Sequence, residues 1–556
     1  MSLGRVGASG EKSISNLFAS YFKSFYKNFN PTLPPQEASE TLVQDLRISE
    51  EELWKAIKDM KKTGPGPDNI PATFISKCSN CLLKPLLLIF NSSLESGIFP
   101  KRWKTSYIKP IPKKGDAGNV RNYRPVSIVN AIPKLFDSLI TLKLYDKLSP
   151  FIHNEQHGFS RGKSTETNLA LFTEFIFSSL DKHEQVDAFY SDFSRAFDSV
   201  NHALLIRKLY NFGVRGNLLK WIELFLSERK VQVKIKNHVS DYFDASSGVP
   251  QGSHLGPLLF ILFINDAKNI VANSQLYLFA DDAKLVIKGK WTGNCVELQR
   301  DIDSFIGWSV RNGLDINLSK CNIITFSHYR NPYHHQYFAG FTPLTRVDRV
   351  RDLGVIIDSS LNFHAHIDSV CAKASKILGF LIRFTSDFNN CNVIIYLYKA
   401  IVLPILTYAS PIWSPYTFSA QYQLEKIQHR FLRYLARKAG TPMNFQDHDY
   451  SHIATRFSIP SLKSLFKVRD AQFAFNIIKK RIKCPELSDL FKERNRRYNL
   501  REYRTFVEHT YYSNTRYFST IPRLIRLWHS LPRSITSQVR ISVFKKQVRE
   551  KLFNFN

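Results

Sequence analysis

No stretch of this 556-residue chain is apolar enough to cross a bilayer. Its longest largely apolar runs, Leu82–Phe90 and Gly256–Ile264, fall well short of the roughly 20 residues a spanning helix needs. No secretory leader is expected from the polar, Gly/Ser-rich stretch Met1–Lys12. Cysteine is scarce: seven, odd in number and scattered, which excludes a disulfide scaffold and fits a reducing compartment. Cys78 and Cys81 form a C-x-x-C with no second pair at zinc-finger spacing, so they are expected to be structural or incidental thiols. Acidic residues are outnumbered, 47 Asp+Glu against 77 Lys+Arg, leaving a net charge of +30. That imbalance favours a polyanionic partner, foremost nucleic acid. No long basic amphipathic segment dominates, which disfavours a membrane-surface role. Residues 441–556 hold 23 Lys+Arg against 9 Asp+Glu, so +14 of the +30 lies there. What the chain does have is apolar bulk, 44% hydrophobic and 13% aromatic, enough for several domains with large cores.

The densest chemical signal is Leu276–Ile287. Two β-prone runs flank Asp281-Asp282, which reads as strand, tight turn and second strand with adjacent carboxylates at the tip. Like charges that close repel unless a cation, most simply a divalent metal, lies between or above them. An Asp-Asp pair alone is usually only a turn, but three further stretches accompany it. The first is Val186–Asp198, where the apolar run Ala188–Tyr190 reads as a buried strand delivering Asp192; Asp192 also suits the N-cap of a helix over Arg195–Leu205. The second is Gly248–Pro257, between a Lys/Val-rich strand pair (Lys230–Lys236) and an apolar helix (Leu258–Ile264). Gly252 there permits close backbone approach to a flat ligand, and Gln251 supplies an amide. The third is a basic hairpin arm, Ile108–Lys114 with Asn122–Pro125, whose cations suit a triphosphate, although solvated surface charge explains them equally well. A further basic loop, Gly158–Ser164, offers Arg161 and Lys163 to template phosphates; its spacing is not that of a nucleotide-binding phosphate loop.

Elsewhere, Ile14, Leu17, Phe18, Tyr21, Phe22, Phe25 and Phe29 recur at helical spacing, a pattern most often meaning core packing. Pro31–Pro35 reads as a linker, and Ser49 with Glu52 as a capping box before a helix over Leu53–Met60. Helices are predicted over Leu298–Arg311, Ile367–Ile382 and Tyr422–Arg437, a strand over Asn322–Phe326 and a hairpin over Val350–Asp358. In the last helix Lys426, Arg430, Arg433 and Arg437 line one face, suited to a duplex backbone.

The order of these pieces resembles the fingers–palm–thumb reverse transcriptases. Asp192–Phe197 is similar to their first palm motif, Pro250–Ser253 to their Pro-Gln-Gly motif and Phe279–Asp282 to their Phe/Tyr-x-Asp-Asp motif. Asn122–Ser127, His157–Thr167, Gly248–Asp266, Tyr277–Lys284, Leu353–Val355 and Leu403–Trp413 narrow the resemblance to non-LTR (LINE-type) retrotransposon polymerases, nearest the jockey-like clade. The resemblance implies an α+β right-hand polymerase fold with helical extensions. It divides the chain into an N-terminal helix and linker (1–40), a helical extension (41–105), fingers and palm (106–360), a helical thumb (361–440) and a basic helical C-terminal region (441–556). It implies RNA-directed DNA polymerisation with two Mg2+ ions, or Mn2+, held by Asp192, Asp281, Asp282 and the Phe193 carbonyl. The implied partners are an RNA template, a DNA primer or target and dNTPs, with no membrane. Phe197 would exclude a ribose 2′-OH, Gln251 and Gly252 would lie near the nascent base pair, and Arg124 with Lys114 near the triphosphate. Lys320 is a candidate proton donor to pyrophosphate, and Leu353-Gly354 would contact the primer end.

No nuclease constellation is visible before Asp192 and no RNase H carboxylate set after residue 440, so neither activity is expected. Two other readings compete. A viral-type RNA polymerase is disfavoured by Phe197 and the Pro-Gln-Gly turn, and a catalytically silent nucleic-acid-binding remnant by the intact carboxylates. An intracellular site, nuclear and cytoplasmic, is expected, and basic clusters such as Arg494–Arg497 would suit nuclear entry.

Overall fold

Seven consecutive buried residues, Gln185–Ser191, make the middle strand of a five-stranded sheet. Across the sheet the order is Thr345–Arg346, Asn322–Phe326, Gln185–Ser191, Asp282–Gly289 and Gln275–Phe279. A strand buried on both faces loses the polar/apolar alternation of a half-exposed one, and its side chains part by turn. Val186, Ala188 and Tyr190 enter one core, while Phe189 enters the other. These coordinates are a computed structural model, describing residues 1–553 except 5, 28, 38, 40, 114, 290–291, 442–449 and 495–504. Lys114 and most of the Arg494–Arg497 cluster therefore lie outside the described residues.

A second sheet runs Tyr123–Val129, Thr105–Pro112, Arg229–Ile235, His238–Val239, with Phe243–Ala245 also on Arg229–Ile235. The basic arm is thus a true antiparallel hairpin, in which Arg124 opposes Ile111. The N-terminal aromatic stripe forms helix Glu11–Lys23, which buries Leu17, Phe18 and Phe22 against Ile108, Val231 and Val233 of this sheet. The capping box at Ser49 and Glu52 forms as expected and opens helix Glu50–Lys58.

Helices make up the rest. The predicted ones occur as Thr292–Arg311, His364–Phe384 and Phe418–Lys438, and the hairpin as Arg349–Asp352 with Val355–Asp358. The helix expected over Arg195–Leu205 is split into Ala196–Ser199 and His202–Asn211, because Asn201 caps the second piece, accepting from the Leu204 N–H at 3.0 Å. One hydrophobic core joins helix Thr165–Leu180, the helices of 364–438 and those of 451–553. It passes through the boundaries expected at 360/361 and 440/441. A bidentate ion pair crosses it, Arg516 to Glu174 at 2.6 and 2.7 Å. Among the described residues no helix is long and apolar enough to cross a membrane, and all seven cysteines are free.

Candidate active site

Register brings the carboxylates together. Ala283 opposes Ser191 across the two central strands, so the next step along each chain is Asp282 and Asp192. Asp282 pairs with Phe279, leaving Ala280-Asp281 as a two-residue turn, with Ala280 in the left-handed region at φ 53°. A non-glycine residue held there costs on the order of 1 kcal/mol, and such strain gathers at functional sites. The turn is gripped from outside the hairpin. Gln156 Oε1 accepts from the backbone N–H groups of Ala280 and Gly158, at 2.9 and 2.8 Å. A Cβ on Gly158 would collide with the Ala280 backbone.

Asp192 and Asp281 share the wall of a cavity of about 500 Å3 with Lys113, Arg124, Arg195, Phe197, Gln251 and Lys320. Asp281 is pushed above the ordinary carboxylate range by burial and by the charge of Asp192, partly offset by a backbone hydrogen bond. Asp282 does not line the cavity. It starts a strand, where successive side chains alternate faces, and it lies near Asp352 and Lys284. Burial, Asp281 and Asp352 push it up to about 6. Asp192 is not a helix N-cap: its carbonyl accepts from Asn317 N–H at 2.7 Å, and left-handed Arg195 precedes the short helix.

Lys320 reaches the site, its Nζ 2.9 Å from Asp192 Oδ2. Phe193 sends its ring into the core, 5.8 Å from Phe305, while bordering the cavity. Phe197 is stacked on Phe260 at 4.2 Å and meets Phe159 edge-on at 6.1 Å, which fixes its ring at the rim. Gln251 is held by a carboxylate absent from the sequence-based set: its Nε2 donates to Asp198 Oδ2 at 2.9 Å. Asp198 is buried, which pushes it up to about 7. The close approach that Gly252 permits is to the Ser127 carbonyl of the second sheet, not into the cavity.

Lys113 borders the cavity at the end of the basic arm, next to Lys114. Burial lowers its pKa, and the nearby charges of Arg124, Lys320 and Arg195 lower it further. Four cations against two carboxylates leave the cavity wall with excess positive charge, which suits an anion.

Other expected residues sit apart from the cavity. Lys163 Nζ donates to the carbonyls of Asn154 and Gln156, at 2.6 and 3.3 Å, so it ties down its own loop. Arg161 pairs with Asp146 and lies over the Tyr145 ring at 4.5 Å. Leu353 and Gly354, both at positive φ, turn the hairpin, and Tyr408 Oη donates to the Leu353 carbonyl at 2.8 Å. A buried ion pair beneath it, Lys284 Nζ to Asp352 Oδ2 at 2.7 Å, joins this turn to the Asp282 strand. Lys426, Arg430 and Arg437 are exposed and Arg433 half-buried, and none borders the cavity. Gln156, Asp198, Arg195 and Tyr408 were missed by sequence reading. Three of them lay inside stretches already singled out, Arg195 and Asp198 within Val186–Asp198 and Tyr408 within Leu403–Trp413.

No three His, Cys, Asp or Glu side chains among the described residues form a ready metal cage. Mg2+ does not need one, since it commonly takes one or two carboxylates and completes its shell with substrate phosphates and water. Asp192 and Asp281 fit that pattern. Residues 111–363 match the family profile described as reverse transcriptase (RNA-dependent DNA polymerase). That stretch is a reverse transcriptase domain. The chain is similar to the RNA-directed DNA polymerase from mobile element jockey of Drosophila funebris, 29% identical over 72% of this chain and 45% of the relative. It is also similar to the probable RNA-directed DNA polymerase from transposon BS of Drosophila melanogaster, 27% identical over 77% of this chain and 50% of the relative. A shorter match, 27% over 38% of this chain and 29% of the relative, is to the Pol polyprotein of retrotransposable element R2 from Popillia japonica. The expected likeness to jockey-type polymerases is borne out, and the chain spans about half the length of the jockey and transposon BS relatives.

Proposed function

We propose that this chain is an RNA-directed DNA polymerase of a non-LTR retrotransposon, extending a primer 3′-OH with dNTPs on an RNA template. One observation carries the reading: Asp192 and Asp281 meet four cations around a cavity the size of a nucleotide site. In it the sheet centred on Gln185–Ser191 is the palm, the second sheet with its basic hairpin the fingers and the helices of 361–440 the thumb, with the C-terminal helices packed into the same core. Asp192 and Asp281 would hold Mg2+ or Mn2+ with the Phe193 carbonyl, and Asp282 would assist from the primer side. Two such ions supply charge stabilisation at the attacking and leaving oxygens.

The chain's own groups do the rest. Lys113 and Arg124, with Lys114, hold the triphosphate, for which guanidinium offers paired donors. Phe197, its ring held by Phe260, would stand against a ribose 2′-OH and so select dNTPs. Gln251, anchored by Asp198, lies against the nascent base pair. Lys320 donates a proton towards the leaving pyrophosphate. Leu353-Gly354 supports the primer end. Arg161 and the stripe Lys426, Arg430, Arg433 and Arg437 track template or duplex phosphates, and Lys163 serves the template by fixing its loop. Work on chromosomal targets requires nuclear entry after cytoplasmic synthesis.

The test is Mg2+-dependent primer extension on RNA, with dNTPs against rNTPs, for wild type and Asp281→Ala/Asp282→Ala. Extension with dNTPs only, lost by at least about 10³-fold in the double variant, is the expected result. Extension with rNTPs would overturn the role of Phe197. No extension from a folded, RNA-binding chain would favour a silent binder instead.

A further inference from the structure

The N-terminal helix was expected to be packing, yet two of its aromatic neighbours border the cavity. Tyr21 and Phe25 stand in its wall beside Arg124, Lys113 and Asp192. Both rings lie under the Arg195 guanidinium, 3.7 Å from the Phe25 centroid and 5.4 Å from that of Tyr21, whose hydroxyl is 3.5 Å from the guanidinium. The Arg195 backbone is fixed too, at φ 58°, with its carbonyl accepting from the N–H groups of Asp198 and Ser199 at 3.0 and 3.1 Å. Among the described residues Arg195 forms no ion pair, although its charge is felt by Lys113 and Asp198. A guanidinium seated on a ring keeps its edge donors free.

The segment after the helix is strapped down as well. Lys27 pairs with Asp315, its N–H donates to Ser247 Oγ at 3.1 Å, and Asn201 Nδ2 donates to the Phe29 carbonyl at 2.6 Å. The helix lies on the finger-like sheet, with Phe18 4.9 Å from Tyr123, next to Arg124. The helix that carries the aromatic pair thus lies between the arm bearing Arg124 and the strand end bearing Asp192.

We propose that Arg195 binds the triphosphate of the incoming nucleotide, and that Phe25 and Tyr21 are positioning residues that aim it. The phosphate is assigned to the nucleotide because the guanidinium borders the same cavity as Asp192 and Asp281. The inference rests on the polymerase reading and adds residues 21–25 to its substrate site.

The test uses the full chain with Arg195→Met, Phe25→Leu and Tyr21→Phe, titrating dNTP on saturating primer–template RNA. In parallel, dNTP affinity is measured in Ca2+, which needs no turnover. Arg195→Met should raise KM for dNTP and the dNTP Kd about tenfold or more, with kcat changed less. Phe25→Leu keeps apolar bulk but removes the ring face, and should raise KM about 3- to 10-fold while the melting temperature, for a swap at this buried site, falls only slightly. Tyr21→Phe keeps the ring and should change KM by less than about twofold. Unchanged KM and Kd in Arg195→Met overturn the proposal, as does a loss confined to primer–template affinity. So does Phe25→Leu with wild-type KM. A wild type that binds dNTP through Arg195 but extends nothing would sink the polymerase reading and leave this site standing; one that neither binds nor extends sinks both.

Discussion

Lys284 is the most informative side chain to remove for stability. Its ammonium is 3% exposed, 2.7 Å from Asp352 Oδ2, 2.8 Å from Asn168 Oδ1 and 4.5 Å from the Phe172 ring centroid. Asp352 is 4% exposed and has one further side-chain partner, the Tyr190 hydroxyl at 3.1 Å. Lys284→Met conserves length and apolar stem but leaves a buried carboxylate answered by one hydroxyl. Breaking a buried pair from one side costs about 3–5 kcal/mol. With a urea slope near 3 kcal/mol/M, the midpoint should fall by roughly 1–1.7 M. Lys284→Met/Asp352→Leu removes both charges, and such replacements are often neutral or stabilising, so most of the midpoint should return. Primer extension should not return with it, because the polar tie between the Asp282 strand and the Leu353-Gly354 turn is gone. Equilibrium urea unfolding of the three proteins decides the matter. A double variant as unstable as the single one, or a single variant as stable as wild type, would refute the reasoning.

Asp198→Asn isolates a buried acid. Burial pushes Asp198 up to about 7, so its proton is held more tightly folded than unfolded, where Asp titrates near about 3.9. Its stabilising contribution is therefore complete below about pH 4 and lost as pH rises through about 7. Relative to wild type, Asp198→Asn should gain up to about 4 kcal/mol between pH 4 and 8 in urea titrations, and parallel pH profiles would count against this. Gly158→Ala forces a methyl into the Ala280 backbone; a stability loss of about 1–3 kcal/mol and a sharp fall in extension are expected, measured by melting and primer assays. Phe197→Ala should raise rNTP use relative to dNTP by at least about tenfold in competition assays, and unchanged selectivity would remove its role.

Much of the site was legible because its chemistry rides on short periodic segments. The buried run ending at Asp192 and the paired strands around Asp281 are visible as patterns, and register does the rest. The divergence of Asp281 and Asp282 was harder to see, since it follows from where the turn ends: Asp281 stays in the turn and Asp282 opens the strand. Lys163 was not legible, because its partners are carbonyls, which carry no sequence signature. Nor was Arg195: its seat is made by Phe25, 170 residues earlier in the chain. An aromatic stripe announces that a helix packs somewhere, but the surface it finds depends on sheets formed far along the sequence. The single hydrophobic core shared by helix Thr165–Leu180 and the helices of 364–553 was not legible either, because it depends on contacts between residues far apart in the chain.

The pair between Glu174 and Arg516 also sets a clock. The two residues are 342 positions apart, and Glu174 stands on the helix packed against the central strand. A ribosome adding about 5–20 residues per second reaches the second partner roughly 17–70 s after the first. Through that interval a carboxylate destined for burial has no counter-ion, and the helix beneath the central strands has an open flank. Nascent chains should therefore become competent late and together, and an assay of stalled ribosome complexes should find little polymerising activity until the helix at Thr520–Ser530 has emerged.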